Sequence, residues 1–408
     1  MARGQLEIAP SQHPHGGAFF TLPQQQLLSY YTSRDASPVG QLLSFTKQLM
    51  SEVDRVIVIG SAAMLAGPRA IMEACCQPYY NELSRAERGS RPRVSFAGDD
   101  LDNDRLQGLL HLLDAHRGKV ARDVTDSWGL VVLAPSSEAP EVEFAARQLR
   151  SALEVSCGGD RALASRRLLR VEMDGAKAIP GAGCLLRVPQ HVSEQYSVLS
   201  LAGLAPAAIL GVNIMKLQEG ALAASDQFIH EGARDSRALQ VAAAGHLLAE
   251  AGLRRVIVPA DRSLERTARW MTGLTMGLDS SSLVSRGVHD AVHWPQSTGT
   301  ENGDGSPAAS YVEMLATQRC RFDILPAGTS QEAAPMRRAQ EAYFEKLAEV
   351  DCPSLVWKLP STDEYSFGQL LQTQMLTAVV RAKLSGANPY AQKPLEQFLG
   401  KLQNIVGF

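Results

Sequence analysis

The chain has 408 residues, of which 45% are hydrophobic and 20% charged, the balance of a folded globular protein with ample core for two or three domains. Forty Lys and Arg against 43 Asp and Glu give a formal net charge of −3, so no basic surplus points to nucleic acid. No uninterrupted apolar stretch approaches the roughly 20 residues of a membrane span, and the opening MARGQLEIAPSQHPHGG lacks the apolar core of a signal peptide. The six cysteines (Cys75, Cys76, Cys157, Cys184, Cys320, Cys352) show no CxxC or paired spacing and read as reduced thiols of a cytoplasmic protein. The adjacent Cys75 and Cys76 read as a buried helix thiol beside a less buried one.

In chain order, an N-terminal Gly/Pro/His segment leads to a helical pattern in QLLSFTKQLM. RVIVIG (55–60), RVSFAG (93–98) and WGLVVLA (128–134) are short apolar runs bounded by turn residues, with CLLRV (184–188) a further strand candidate. Helical patterns lie between them, in AGPRAIMEACC, NDRLQGLLHLLDAH and PEVEFAARQLRSALE. This alternation predicts a parallel sheet with right-handed crossovers and helices on both faces. The Ala/Leu/Gly-rich stretch 196–224 reads as a packed helical connector. The alternation then restarts with a helix in ALQVAAAGHLLAEAG and strands in RRVIVPA (254–260), FDILPAG (322–328) and SLVWKL (354–359). A long helical pattern, FGQLLQTQMLTAVVRAKLSG, precedes the closing NPYAQKPLEQFLGKLQNIVGF. The polar, Gly-rich stretch 297–310 cannot bury itself and reads as a mobile loop.

Three stretches carry a resemblance to a known family. LPSTDEYSFGQLLQTQMLTAVVRAKLSGANPYAQKPLEQF is similar to the Ser-Gly-Gln-Leu helix and Asn-Pro-aromatic-x-Gln-Pro-x-x-Glu pattern of phosphoglucose isomerase, a family built from two sugar-isomerase (SIS) domains. YSVLSLAGLAPAAI resembles the segment after that family's Gly-Gly-Arg motif, and VIVIGSAAMLAGPRA keeps the register of its first glycine loop. The resemblance implies an α/β fold of two SIS-type three-layer modules, with parallel sheets flanked by helices and a helical connector between them. The expected organisation is an N-terminal extension over 1–50, SIS modules over 51–190 and 231–386, the connector over 191–230, and a C-terminal helical arm over 387–408. It further implies a cytoplasmic homodimer with composite sites. The implied activity is aldose–ketose interconversion of glucose 6-phosphate and fructose 6-phosphate, a step of glycolysis and gluconeogenesis, with no metal or organic cofactor.

That chemistry needs donors for a phosphate dianion, a carboxylate to shuttle the proton between C2 and C1, and a cation or strong donor for the enediolate. In the first glycine loop Gly60 and Ser61 remain, while the family's Gly-Gly-Ser falls on Ala62, Ala63 and Met64. The two alanines read otherwise as tight strand-to-helix packing, and with only Gly60 and Gly67 the loop is no dinucleotide fingerprint. The phosphate loop reads Ala134-Pro135-Ser136-Ser137-Glu138-Ala139, where Ser136 and Ser137 either hold an anion or cap the helix that begins near Pro140. Glu138 at that helix mouth would repel or replace the anion.

The motif arginine aligns with Gln195 in HVSEQYS, which donates a hydrogen bond but brings no charge. Leu278 takes the place of the general-base Glu, with Asp279 the neighbouring carboxylate; such an Asp equally serves a turn or an N-cap. The ring-opening His corresponds to His293 or His289 in GVHDAVHW, whose H-D-x-x-H spacing would also place two imidazoles on one helix face as a metal pair, though without a third ligand. Structural packing beside Trp294 is the other use of His293. Gln392 and Glu396 fit the C-terminal motif, whereas its Lys falls on Leu399, with Lys401 two residues later and about 200° round a helix. The candidate machinery is therefore Asp279, His293, Gln195, Gln392 and Lys401, with Gly60, Ser61, Ser136 and Ser137 for the phosphate. Three readings stay open: a divergent isomerase, a catalytically silent protein that binds a sugar phosphate, and a structural partner of a true isomerase.

Overall fold

The computed structural model describes residues 17–113, 120–121, 123–136, 139–176, 183–275, 283–284, 310–318, 338, 341–342, 345, 349 and 352–390. Two compact units partition the chain: an N-terminal lobe of Pro14–Ala223 with Asp363–Leu371, and a C-terminal lobe of Met1–His13, Ala224–Thr362 and Gln372–Phe408.

In the N-terminal lobe the helices α1 (Leu22–Ser33) and α2 (Pro38–Glu52) precede strand β1 (Arg55–Ile59). Ser37 and Pro38 start α2, the Ser37 hydroxyl accepting from the Gly40 N–H and the proline filling a position that needs no donor. Next come α3 (Ala62–Cys75), β2 (Arg93–Ala97), α4 (Asn103–Leu112), β3 (Trp128–Ala134), α5 (Pro140–Ser156), α6 (Arg161–Arg166), β4 (Leu168–Glu172) and β5 (Cys184–Arg187). All pairings are parallel and the order is β2-β1-β3-β4-β5. Alternate side chains of β1 and β3 (Ile57, Ile59, Trp128, Leu130, Val132) pack on Val142, Leu149 and Leu153 of α5, with Leu106 and Leu109 of α4 beside them. The opposite face is covered by α7 (Leu201–Leu210), every residue of which is buried, backed by α2 and α3.

The connector then continues as α8 (Ile214–His230), so the packed helical reading of 196–224 holds. Part of α11 (Glu364–Leu384) lies against it. Gly368 permits this approach, because a Cβ there would lie 2.0 Å from the Leu217 carbonyl oxygen. That obstacle is backbone and cannot rotate away, so Gly368→Ala is expected to cost about 1–3 kcal/mol and lower the thermal midpoint by several degrees in calorimetry.

In the C-terminal lobe, α9 (Arg237–Glu250), β6 (Arg254–Pro259), α10 (Glu265–Leu274), β7 (Leu283–Val284), β8 (Ser310–Thr317) and β9 (Ser354–Leu359) form a second parallel sheet of order β7-β6-β8-β9. One of its faces buries Val256, Val258, Val312 and Met314. The other holds the Arg255–Glu313 pair, both residues at most 3% exposed.

The two parallel sheets and the runs at 55–60, 93–98, 128–134, 184–188, 254–260 and 354–359 agree with the sequence reading. Three strands escaped it: β4, interrupted by Arg170 and Glu172, the two-residue β7, and β8, interrupted by Glu313. Ser310, counted with the polar loop, opens β8; FDILPAG (322–328) and the rest of the 297–310 stretch lie outside the described residues. Cys75 closes α3 at 4% exposure and Cys76 follows it at 8%, so both are buried, the helix thiol the more deeply, in the order expected. Ala62 is exposed and Ala63 half-buried, so neither makes the tight strand-to-helix contact; Gly60 does, since a Cβ there would meet Leu133 and Leu65 at 3.2 Å. No helix among the described residues is long and apolar enough to cross a membrane.

Candidate active site

In an open parallel sheet of this order the chain leaves β1 towards β2 on one side, while β3 continues on the other. The loops at the carboxyl ends of β1 and β3 therefore part and leave a crevice, the place where ligands of such sheets bind. Gly60 and Ser61 form the first loop, between β1 and α3; Pro135 and Ser136 begin the second, between β3 and α5. The Ser61 hydroxyl caps α3, accepting from the Met64 N–H at 3.4 Å. The cap of α5 is Ala139, without a side-chain bond, so Ser136 does not cap that helix and its donors face elsewhere.

They face a carboxylate. Glu194 opens a short 3₁₀ turn (Glu194–Leu199) and is only 3% exposed. Its Oε2 accepts from the Ser61 hydroxyl at 2.8 Å, and its Oε1 from the Ser136 N–H at 3.1 Å and hydroxyl at 3.2 Å. One buried carboxylate thus joins two loops whose serines are 75 residues apart, through two hydroxyls and a backbone N–H. That donor set is the kind that grips an oxyanion. Glu141, in the first turn of α5, stands near enough to feel it: burial pushes the Glu141 carboxyl above its ordinary value, and the Glu194 charge raises it further.

The register of this segment is fixed by Tyr196, fully buried and stacked on Phe19 with ring centroids 4.9 Å apart. Gln195 is half-buried between Glu194 and Tyr196. Of the residues singled out from sequence, Gly60, Ser61 and Ser136 are brought to the crevice, with Gln195 adjoining it in the chain. Asp279, His293, Gln392, Lys401 and Ser137, together with Leu278, His289, Glu138, Glu396 and Leu399, lie outside the described residues. Among the described residues no cluster of three or more His, Cys, Asp or Glu stands ready to hold a metal ion.

Glu194 itself was missed. The signal was present one residue from Gln195: with the motif arginine on Gln195, the glycine before it falls on Glu194, which puts a carboxylate where the motif leaves open space. The C-terminal lobe has a counterpart at its own crevice between β6 and β8. There Asp261 Oδ2 accepts from the Thr317 N–H at 2.9 Å and hydroxyl at 2.7 Å.

No protein-family model matches the chain. It is 27% identical to a glucose-6-phosphate isomerase of Symbiobacterium thermophilum over 88% of this chain and 82% of that protein. Against one of Caldanaerobacter subterraneus it is 25% identical, over 91% and 84% respectively. Among solved structures, a hypothetical protein from Thermus thermophilus superposes with a TM-score of 0.74 at 19% identity, over 98% of this chain and 91% of that one. A Chlamydia trachomatis glucose-6-phosphate isomerase does so at 0.73 and 14%, over 95% and 78%. Along about nine-tenths of its length, then, this chain resembles the glucose-6-phosphate isomerases in sequence, and its fold is that of the phosphosugar isomerases.

Proposed function

We propose that the chain is a divergent, glucose-6-phosphate isomerase-like protein. Its substrate class is a hexose phosphate of the glucose 6-phosphate/fructose 6-phosphate type, interconverted through an enediol. The observation that carries this reading is the Ser61–Ser136 donor set at the crevice of the first sheet, which already engages an oxyanion, the Glu194 carboxylate. Relatives named glucose-6-phosphate isomerase, matched along most of their length, support the substrate class. Asp279 is the proton shuttle, His293 the ring-opening group, and Gln392 and Lys401 complete the site in this proposal. SIS modules over 51–190 and 231–386, a cytoplasmic location and a homodimer with shared sites belong to the same reading.

A second reading, a silent sugar-phosphate-binding protein, draws on Gln195. An enediolate carries a developing negative charge, and a neutral amide in place of a guanidinium gives up a charge-assisted bond worth about 3–4 kcal/mol in the transition state. Turnover is accordingly expected to fall two to three orders of magnitude below that of a glucose-6-phosphate isomerase with the arginine. A coupled assay of glucose 6-phosphate formation from fructose 6-phosphate, run beside Asp279→Asn, tests this. Slow turnover that the variant abolishes supports the isomerase. No turnover, with a thermal shift on adding fructose 6-phosphate, supports the silent binder.

A further inference from the structure

We propose that Glu194 is a specificity-determining residue, a built-in carboxylate ligand that occupies the anion subsite between β1 and β3 and competes with any phosphoryl group for it. The proposal rests on the crevice reading above and adds what currently fills that crevice.

The geometry supplies the argument. Ser61 and Ser136 offer two hydroxyl donors and one backbone N–H, and all three end on the two oxygens of one carboxylate at 2.8–3.2 Å. A phosphate oxygen pair would need those same donors, so the two anions exclude each other by hydrogen-bond stoichiometry alone. Charge acts in the same direction. A dianion approaching the crevice meets Glu194 and, in the first turn of α5, Glu141, whose carboxyl already responds to the Glu194 charge. Glu194 is also held in place: it is 3% exposed, and its turn is anchored by the buried Tyr196–Phe19 stack. A flexible surface glutamate would be displaced by millimolar phosphate, whereas a buried one bonded through both oxygens resists.

Each Glu194 oxygen is turned to a serine donor, one on each loop. The residue is therefore a surrogate ligand, and the subsite as it stands accepts a phosphoryl group only after the carboxylate leaves or loses its charge.

The test uses the full chain and inorganic phosphate as the probe, with sodium chloride at matched ionic strength as control. Binding is read by calorimetric titration and by the thermal midpoint at neutral pH. In Glu194→Gly the donors are freed, and phosphate is expected to bind at least ten-fold more tightly than to wild type and to restore the midpoint that the substitution lowers. Glu194→Gln keeps the bulk and removes the charge, so its affinity is expected to lie between the two; it carries the test if the glycine variant does not fold. Adding Ser136→Ala to Glu194→Gly is expected to abolish the gain, which ties the phosphate to this subsite.

Equal phosphate affinity in wild type and both variants overturns the proposal, as does a well-folded Glu194→Gly that shows no phosphate response. A lowered midpoint that chloride rescues as well as phosphate also overturns it, because a merely structural glutamate behaves so. Phosphate binding gained by the variants, in a protein that neither turns over nor binds fructose 6-phosphate, leaves this inference standing and removes the isomerase reading instead.

Discussion

Replacing Glu313 with alanine is expected to destabilise the C-terminal lobe by about 3–5 kcal/mol, the cost of leaving a buried cation without its partner. Glu313 lies on the central strand β8 and is 0% exposed. Its Oε2 takes the Arg255 Nε at 2.7 Å and its Oε1 the Trp357 indole N–H at 2.7 Å. Arg255, 3% exposed, spends a second donor on Thr275 Oγ1 at 3.2 Å. With the carboxylate gone, that guanidinium loses its charged partner while almost wholly removed from water. At roughly 2–4 °C per kcal/mol for a unit of this size, the lobe's transition should fall by about 10 °C in calorimetry. Replacing Arg255 and Glu313 together by Met and Leu should recover most of the loss, since neither desolvation cost then remains.

The same pair fixes a pH dependence. Burial alone would push the Glu313 carboxyl up, but Arg255, the Trp357 hydrogen bond and the Arg381 charge outweigh it and hold the group below the ordinary carboxylate value. A depressed folded value contributes stability above the unfolded value, about 4.3, and loses it as pH falls through the lower folded one. The gap between wild type and Glu313→Gln should therefore be widest near neutrality and narrow below about pH 4. A gap that stays constant from pH 7 to pH 3 would show that the pair carries no such linkage.

The elements legible in the sequence were those whose burial is written in apolar residues alone. RVIVI and WGLVVLA became central strands because nothing in them needs a partner to enter the core. LLRVE and SYVEMLAT are as deeply placed, yet each carries charge that only a partner makes tolerable. Arg170 pairs with Glu172 of its own strand at 2.8 Å and Glu172 reaches Arg187 on β5 at 3.5 Å, while Glu313 is paired with Arg255 on a strand 58 residues away. Local periodicity cannot register a compensation that arrives from another strand. The crevice divides the same way. Ser61 and Ser136 were visible because they follow strand ends, where loops converge on ligands whatever the fold's details. Glu194 was not, because a glutamate before Gln-Tyr-Ser reads as a solvent-facing side chain until its two serine partners, 133 and 58 residues distant, are in place. The helix cap was misplaced for a related reason. Ser136 had an oxyanion to bond, which left the start of α5 to Ala139 and Pro140.

Those substitutions also bear on each other. Gln195 withdraws a positive charge from the segment and Glu194 adds a negative one, so relative to the Gly-Arg of the resemblance the local charge falls by two units. A site shifted in that direction loses affinity for a dianion and for a developing enediolate together. Both residues occupy consecutive positions on a segment anchored by Tyr196. Restoring arginine at 195 while Glu194 remains would place the new guanidinium beside the buried carboxylate, and an ion pair between them would compete with substrate.

Substitution of Asp54 by alanine is the second large loss expected, again about 3–5 kcal/mol, this time in the N-terminal lobe. Asp54 precedes β1 and is 3% exposed. Its Oδ1 takes Arg88 at 2.6 Å and Arg85 at 3.0 Å, and its Oδ2 takes Arg93. These arginines do not respond alike. The side chains of Arg85 and Arg93 retain 25% and 29% exposure and can turn to solvent once the carboxylate is gone. The Arg88 side chain, at 0%, cannot; it is left with the carbonyl oxygens of Leu83 and Arg91. Most of the cost therefore belongs to one pair. In a double-mutant cycle, Asp54→Ala in an Arg88→Met background should cost no more than half of its cost in wild type, whereas in an Arg93→Gln background it should stay nearly whole. Because the chain from Leu83 to Arg93 is tied to β1 through this carboxylate, amide exchange in that segment should accelerate in Asp54→Ala before the core of β1 and β3 opens. Equal protection of that segment in the variant and wild type would mean that its backbone bonds alone, such as Arg93 N–H to the Asp54 carbonyl at 2.8 Å, are enough to hold it.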